Sequence, residues 1–221
     1  MTVLRFGGTG SAGGCVLRMC LAHPAVEEVR AITRRPLALT HPKLTVVIHS
    51  NYQDYASVAA AMRGVDACLY CLRISVSQVS GESEYRKITR DFAVAAARAL
   101  VAQSPRATFH FLSGRGASVD SRFMWARVKG ETERELMDLV EAVCWRPAAI
   151  DGMRSASEPL KYRLLRPLLR VFRPFRGLYV TGDDIGRAML QATIEKMRRR
   201  IILNAEIRDI ADRAPRSPAS A

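Results

Sequence analysis

No stretch of this 221-residue chain approaches the roughly 18 consecutive apolar residues of a membrane span. Its first residues, "TVLRF", enter a strand pattern where a secretory leader would place a charged and then an apolar region. Both absences lead to the expectation of a cytoplasmic protein. An even set of cysteines is also missing: there are five, at 15, 20, 68, 71 and 144, so a disulfide framework is not expected. The pair in "CLYC" has C-x-x-C spacing, but it falls in the apolar run "VDACLYCL", a buried-strand pattern in which residues three apart face opposite sides. No second pair accompanies it and the four histidines are scattered, so buried thiols are expected and no metal ligands are assigned. Acidic residues are few, 21 against 34 basic ones, and the resulting net charge of +13 implies anionic company. A phosphorylated cofactor, nucleic acid, a membrane surface or an acidic protein would each serve. Nucleic acid is disfavoured, because the chain has no helix-turn-helix or zinc module and its basic residues are not interleaved with exposed-looking aromatics.

What is present is an alternation. "TVLRFGG" reads as a strand, "SAGGCVLRMCLAH" as a helix and "VEEVRAITR" as a strand, a β-α-β unit whose crossover suits parallel strands. Strand-like "KLTVVIH", helical "DYASVAAAMRG", strand-like "VDACLYCL", the long helix of "ESEYRKITRDFAVAAARALVAQ" and strand-like "ATFHFLS" follow. After them come the helix of "FMWARVKGETERELMDLV", the strand-like "AVCWRPAAI", the helix of "GDDIGRAMLQATIEKM" and a last strand in "RRRIILNAE". Strands that are continuously apolar, in place of alternating, belong to a sheet covered on both faces. The expected fold is therefore α/β, a doubly wound parallel (Rossmann) sheet in one domain over residues 1–208. A basic helical lid segment is expected within 152–180 and a disordered tail over 209–221, where the chain ends in "ADRAPRSPASA".

"FGGTGSAGG" sets Gly7, Gly10 and Gly13 in a G-x-x-G-x-x-G arrangement between strand and helix. Such a turn uses glycine for unusual dihedrals, for backbone approach to a pyrophosphate and for close helix-strand packing, and the helix N-terminus offers its free N–H groups to the phosphates. The strand before, the helix after and the second strand at the right distance make this a dinucleotide signal. The second strand ends in "ITRRP", with Arg34 and Arg35 where an NAD site usually places a carboxylate, so NADP is favoured over NAD.

At these residues the chain resembles the atypical short-chain dehydrogenase/reductases, in particular the NmrA-like and Tat-interacting-protein-type NAD(P)-binding proteins. The resemblance spans about residues 2–208 and is carried by "GGTGSAGG", "VDACLYCL", "FHFLSGRGAS", "FMWARVKGETERE", "WRPAAIDG" and "VTGDDIGRAML". It implies phosphate and ribose contacts from Gly7, Thr9, Gly10, Ser11, Ala12 and Gly13, and an adenosine-phosphate position at Arg34 and Arg35. Asn51 would stand near the adenine, and Cys71, Leu72 and Arg73 along the cofactor, Arg73 falling where a glycine is common. Ser113 and Lys129 match the family's catalytic serine and lysine. Trp125 stands where the catalytic tyrosine would be, four residues before Lys129 and on the same helical face. An indole N–H donates a hydrogen bond but is no practical proton donor at neutral pH. The resemblance thus implies an NADP(H)-binding oxidoreductase-like protein acting on a small molecule, or a non-catalytic NADPH-binding regulatory or interaction protein. Trp125 is expected to wall the nicotinamide end.

Residues 154–176 hold seven basic side chains against Glu158 alone. Apolar residues at 160, 164, 165, 168, 169 and 172 have helical spacing, with Pro159 at a first helical position and Pro167 as an interruption. Two readings stand: a lid over the substrate side, or a surface at residues 157–176 for a membrane or an acidic protein.

Overall fold

Runs such as Cys68-Leu69-Tyr70 and Ala142-Val143-Cys144-Trp145 leave no polar face for water, and the chain buries them in the middle of a sheet. The computed structural model describes residues 1–7, 11–151 and 170–215. Seven parallel strands form the main sheet: β1 (Thr2–Phe6), β2 (Glu28–Thr33), β3 (Leu44–Ile48), β4 (Ala67–Tyr70), β5 (Thr108–Leu112), β6 (Glu141–Arg146) and β9 (Arg200–Leu203), in the spatial order β3-β2-β1-β4-β5-β6-β9. The register is parallel throughout, for example Phe6 beside Ile32 and Tyr70, and Leu112 beside Trp145. The central strands are buried along most of their length, whereas the edge strands β3 and β9 are largely exposed or half-buried. Chain order runs outward from β1 toward β3 on one side and from β4 toward β9 on the other. The reversal between β1 and β4 opens a crevice at the carboxyl ends of the strands.

Alternate residues of the strands face two cores, as the doubly wound expectation requires. One core packs Val3, Val29 and Trp145 against α1 (Ser11–Ala22), α5 (Gly182–Ile194) and α6 (Asn204–Arg213). The other packs Leu4, Phe6, Phe109 and Phe111 against α3 (Phe92–Gln103), α4 (Met124–Leu139) and the 3-10 turn over Ala56–Met62. That last segment is a tight 3-10 run where the sequence suggests an ordinary helix. The long helix expected over 82–103 consists of α2 (Glu82–Arg86), a π turn at Lys87–Asp91 and α3. A π turn inserts one extra residue into the helical ladder and is frequent at functional sites. α5 opens with a capping box: Thr181 Oγ1 accepts from the Asp184 N–H at 3.0 Å while the Asp184 carboxylate accepts from the Thr181 N–H at 3.1 Å. A two-stranded sheet of β7 (Ala149–Asp151) and β8 (Tyr179–Thr181) brings the chain back beside the exit of β6.

The disordered tail does not begin at residue 209. Helix α6 runs to Arg213 because Ile207, Ile210 and Ala211 recur at helical spacing and bury against the sheet, a pattern that the polar, proline-rich composition of the last residues hides. Asn204 fixes its start, with Nδ2–H donating to the Arg176 and Tyr179 carbonyls at 2.6 and 3.0 Å. Residues 216–221 lie outside the described residues, as do 152–169, which hold most of the expected lid and of the 157–176 surface. Of the basic side chains just beyond, Arg176 is ion-paired with Asp209 and Asp212 on α6 at 2.7 and 2.6 Å. All five cysteines are buried and none forms a disulfide.

His110, in the middle of β5, is fully buried and stacked on Trp145, whose Nε1–H donates to His110 Nδ1 at 3.2 Å. That leaves Nε2 to carry the proton, facing the Thr108 and Thr193 hydroxyls at 3.2 and 3.4 Å. Burial drives its pKa down to about 3. An imidazole that cannot take a proton in the folded state contributes stability that is complete above the unfolded value near 6.5 and is lost as pH falls toward 3. Urea unfolding between pH 7 and pH 4.5 should lose up to about 1.4 kcal/mol per pH unit below pH 6 from this residue. A profile equally steep in His110→Asn would assign the acid sensitivity elsewhere.

Candidate functional site

Parallel strands in this order deliver every interstrand loop of interest to one edge. Gly7 follows β1, Arg34 and Arg35 follow β2, Asn51 lies just beyond β3, Cys71–Arg73 follow β4 and Ser113 follows β5. Gly7 has φ +81°, a left-handed backbone that a side chain resists, and a Cβ there would sit 2.6 Å from the carbonyl carbon of Cys71. Gly13, one turn into α1, would place a Cβ 2.1 Å from the Gly7 carbonyl oxygen. The β1 exit, the helix and the β4 loop are thus drawn together around the strand-order reversal. Thr9 and Gly10 lie outside the described residues; Ser11 begins α1, and Ala12 is buried.

Beneath this turn lies a residue that the motif does not announce. Arg5 is fully buried within β1 and its Nη2 donates to the carbonyls of both Gly7 (3.1 Å) and Gly13. Among the described residues its Nε and Nη1 have no hydrogen-bond partner, and Cys71, Cys20 and Cys15 are the ionisable groups that act on its charge. Burial raises the Cys20 and Cys71 thiols to about 12 and 11 although Arg5 opposes the shift, so they do not neutralise the guanidinium. A buried cation with unsatisfied donors directly under a phosphate-type turn fits an anion carried above it. The signal was readable: an arginine inside an apolar parallel strand is costly unless something uses it.

Arg34 and Arg35 are exposed at the sheet edge, and the Thr33 hydroxyl, donating to the Arg35 carbonyl at 2.6 Å, holds their turn. Asn51 is exposed; its carbonyl is 2.7 Å from His49 Nε2 and its side-chain oxygen accepts from the Gln53 N–H at 3.2 Å.

Toward β5 and β6 the crevice widens into a cleft of about 670 Å³. Arg73, Ser113, Trp125 and Lys129 all line it, so four residues chosen from sequence meet in one place. Leu72, half-buried, packs on the core, and Cys71 is buried. Trp125 is half-buried on the cleft wall and does not belong to the core, in agreement with its register relative to Lys129. The lysine is set by close helix docking: a Cβ on Gly130 would be 2.4 Å from the Ser118 carbonyl carbon, so only glycine lets α4 approach the loop after β5 this closely. Lys129 Nζ then donates to the Ser113 carbonyl at 2.8 Å. Burial, aided by the Arg73 charge and opposed by Glu133, lowers its pKa to about 7. The Ser113 hydroxyl is buried and has no partner among the described residues. A buried unpaired hydroxyl at the wall of a cleft is costly unless a ligand satisfies it. Tyr85 and Arg115 also line the cleft, together with Pro147–Ile150, Phe172 and Leu178. No spacing in the sequence marks Tyr85 or Arg115.

Comparison with known proteins bears on the fold and on the class of cofactor. A family model described as NAD(P)H-binding matches residues 7–138. A curated relative, the mitochondrial protein fmp52-1 of Aspergillus terreus, is 31% identical over 167 residues, covering 72% of this chain and 71% of the relative. The mitochondrial protein FMP52 of Saccharomyces cerevisiae is 25% identical over 222 residues, 96% of each chain. Among solved structures, the dTDP-glucose 4,6-dehydratase DesIV of Streptomyces venezuelae, with NAD bound, has a TM-score of 0.71 at 17% identity, over 96% of this chain and 80% of that one. An oxidoreductase of the short-chain dehydrogenase/reductase family from Burkholderia thailandensis has a TM-score of 0.69 at 16% identity, over 93% and 92%. These last two likenesses are of fold. The relatives' names overturn the expectation of a cytoplasmic protein. That expectation rested on a missing membrane span and a missing secretory leader, and neither absence specifies a compartment.

Proposed function

We propose, from the premise that this chain belongs to the NAD(P)H-binding family of Rossmann proteins, that it is an NADPH-dependent reductase of a small carbonyl compound. The observation that carries this reading is the meeting of a buried, unpartnered Ser113 hydroxyl with Lys129 on the wall of one cleft at the carboxyl edge of the sheet. Gly7, Gly13 and the start of α1, with Arg5 beneath, would hold the pyrophosphate, and Arg34 and Arg35 the 2′-phosphate. Asn51 would hydrogen-bond near the adenine, and Cys71, Leu72 and Arg73 would run along the cofactor. When bound, the reduced nicotinamide supplies a hydride. Lys129, with Nζ 2.8 Å from the Ser113 carbonyl, would bind ribose oxygens; Ser113 Oγ would steady the substrate carbonyl; Trp125 would exclude water from the nicotinamide end.

The arginine pair gives the first test. Arg34→Ser/Arg35→Ser should lower NADPH affinity by about 10- to 100-fold, the worth of one or two charge-assisted bonds to phosphate, and leave NADH affinity within about twofold. Quenching of tryptophan fluorescence on titration, with calorimetry, measures both. Equal losses for the two nucleotides would count against a 2′-phosphate site.

A second reading, an NADPH-binding regulator without turnover, is favoured by Trp125 at the tyrosine position. Mitochondrial association, in line with the named location of the FMP52 relatives, belongs to either reading. The basic segment would then face an acidic partner or a membrane surface.

A further inference from the structure

We propose that Tyr85 is the proton donor of this cleft, a tyrosine supplied from a different helix in place of the one that Trp125 replaces. The inference rests on the reductase reading and names the residue that reading lacks. When a carbonyl carbon accepts a hydride, the carbonyl π pair moves to oxygen, and the oxygen must gain a proton from an acid within reach. Among the described lining residues the choice is short. Ser75 and Ser113 hold their protons too tightly, Trp125 offers only an indole N–H, and the guanidinium groups of Arg73 and Arg115 do not deprotonate. Lys129 Nζ donates to the Ser113 carbonyl and, in the reductase reading, its remaining protons are held by the ribose oxygens. Tyr85 is a phenol, 2% exposed, on the wall of the same cleft.

Its surroundings suit the task. Thr89, itself buried within the π turn Lys87–Asp91, lies close enough to the Tyr85 hydroxyl to favour its ionised form. The extra residue of a π turn alters which side chains share a face, and such turns are frequent at functional sites. A threonine hydroxyl both accepts and donates, so it can pass a proton inward. The Arg73 guanidinium lies close enough to favour the tyrosinate left after transfer. Burial outweighs that influence in the resting protein and holds the phenol in its protonated form, the form an acid needs.

The step balances as follows. The carbonyl carbon gains the hydride from the reduced nicotinamide, and the carbonyl oxygen gains the Tyr85 Oη proton. The tyrosinate regains a proton from solvent through Thr89 Oγ1. The net change is one carbonyl, one reduced nicotinamide and one solvent proton converted to one alcohol and one oxidised nicotinamide.

The test uses the full chain with NADPH and a panel of quinones and aromatic aldehydes. Tyr85→Phe should lower kcat by about 10²- to 10⁴-fold with NADPH affinity within about twofold, and Thr89→Val should lower kcat less. Trp125→Tyr should bring no gain in kcat, because the position is no longer where the proton comes from. A readout without turnover is the infrared carbonyl stretch of a bound aromatic aldehyde in the NADP⁺ complex. It should move to lower frequency in the wild type and return toward its free value in Tyr85→Phe. An unchanged kcat or stretch in Tyr85→Phe, or a large gain in Trp125→Tyr, would overturn the assignment and leave the reductase reading standing. Tight NADPH binding with no carbonyl reduced by the wild type would instead overturn the reductase reading, and this assignment with it.

Discussion

Replacing Arg5 by methionine is expected to weaken NADPH binding by about 100-fold without lowering the melting temperature of the free protein. Two effects oppose each other in the free state. The Gly7 and Gly13 carbonyls lose a donor, at about 1–3 kcal/mol if left unsatisfied, while a buried cation with unpartnered Nε and Nη1 is removed, a change that is often neutral or stabilising by a similar amount. Only the second term changes sign when a pyrophosphate occupies the turn, because the guanidinium then faces negative charge. At the effective dielectric of such sites, a unit charge a few ångströms away contributes about 3 kcal/mol, which is roughly 100-fold in affinity. Calorimetry and thermal melts on the same preparations separate the terms. A melting temperature that falls while affinity holds would make Arg5 a clamp for the turn and nothing more, and Arg5→Lys should recover part of the affinity if charge is what matters.

The second large effect is expected at Gly7. Alanine there must adopt φ near +81° and place its Cβ 2.6 Å from the Cys71 carbonyl carbon and 2.8 Å from the Leu72 nitrogen. The left-handed backbone costs about 1–2 kcal/mol and forced overpacking about 1–3 kcal/mol, so Gly7→Ala should lose about 2–5 kcal/mol in urea unfolding. The neighbours are backbone atoms of the β4 exit, which carry no rotamer freedom with which to yield. A loss below about 1 kcal/mol would mean that the β4 loop moves freely relative to β1, contrary to the close packing at the reversal point.

Most of the sheet was legible because its strands are buried on both faces, so apolar runs mark them directly. The glycine turn was legible because backbone geometry there demands a residue type. Trp125 and Lys129 were legible as a pair because helical periodicity puts positions four apart on one face, and Ser113 only through the family resemblance. Tyr85 was not. Its neighbourhood in sequence is an ordinary amphipathic helix, and only the π turn and the packing of α2 beside α4 bring it to the cleft. Arg115 is hidden for a similar reason, since a glycine-flanked loop residue has no periodicity to read. Helix α6 was missed where composition was weighed above spacing: Ile207, Ile210 and Ala211 carry the burial pattern amid charged neighbours.

The five thiols are all enclosed, and Cys15 and Cys71 flank the turn that Arg5 supports. An alkylating reagent therefore modifies this protein only as fast as the chain opens, and each cysteine becomes a clock for its own neighbourhood. Cys144, in β6, times the opening of the sheet interior; Cys15 and Cys71 time the parting of α1 from the β4 loop. A dinucleotide that bridges those two elements would slow Cys15 and Cys71 more than Cys144, so mass-resolved labelling would map where a ligand sits.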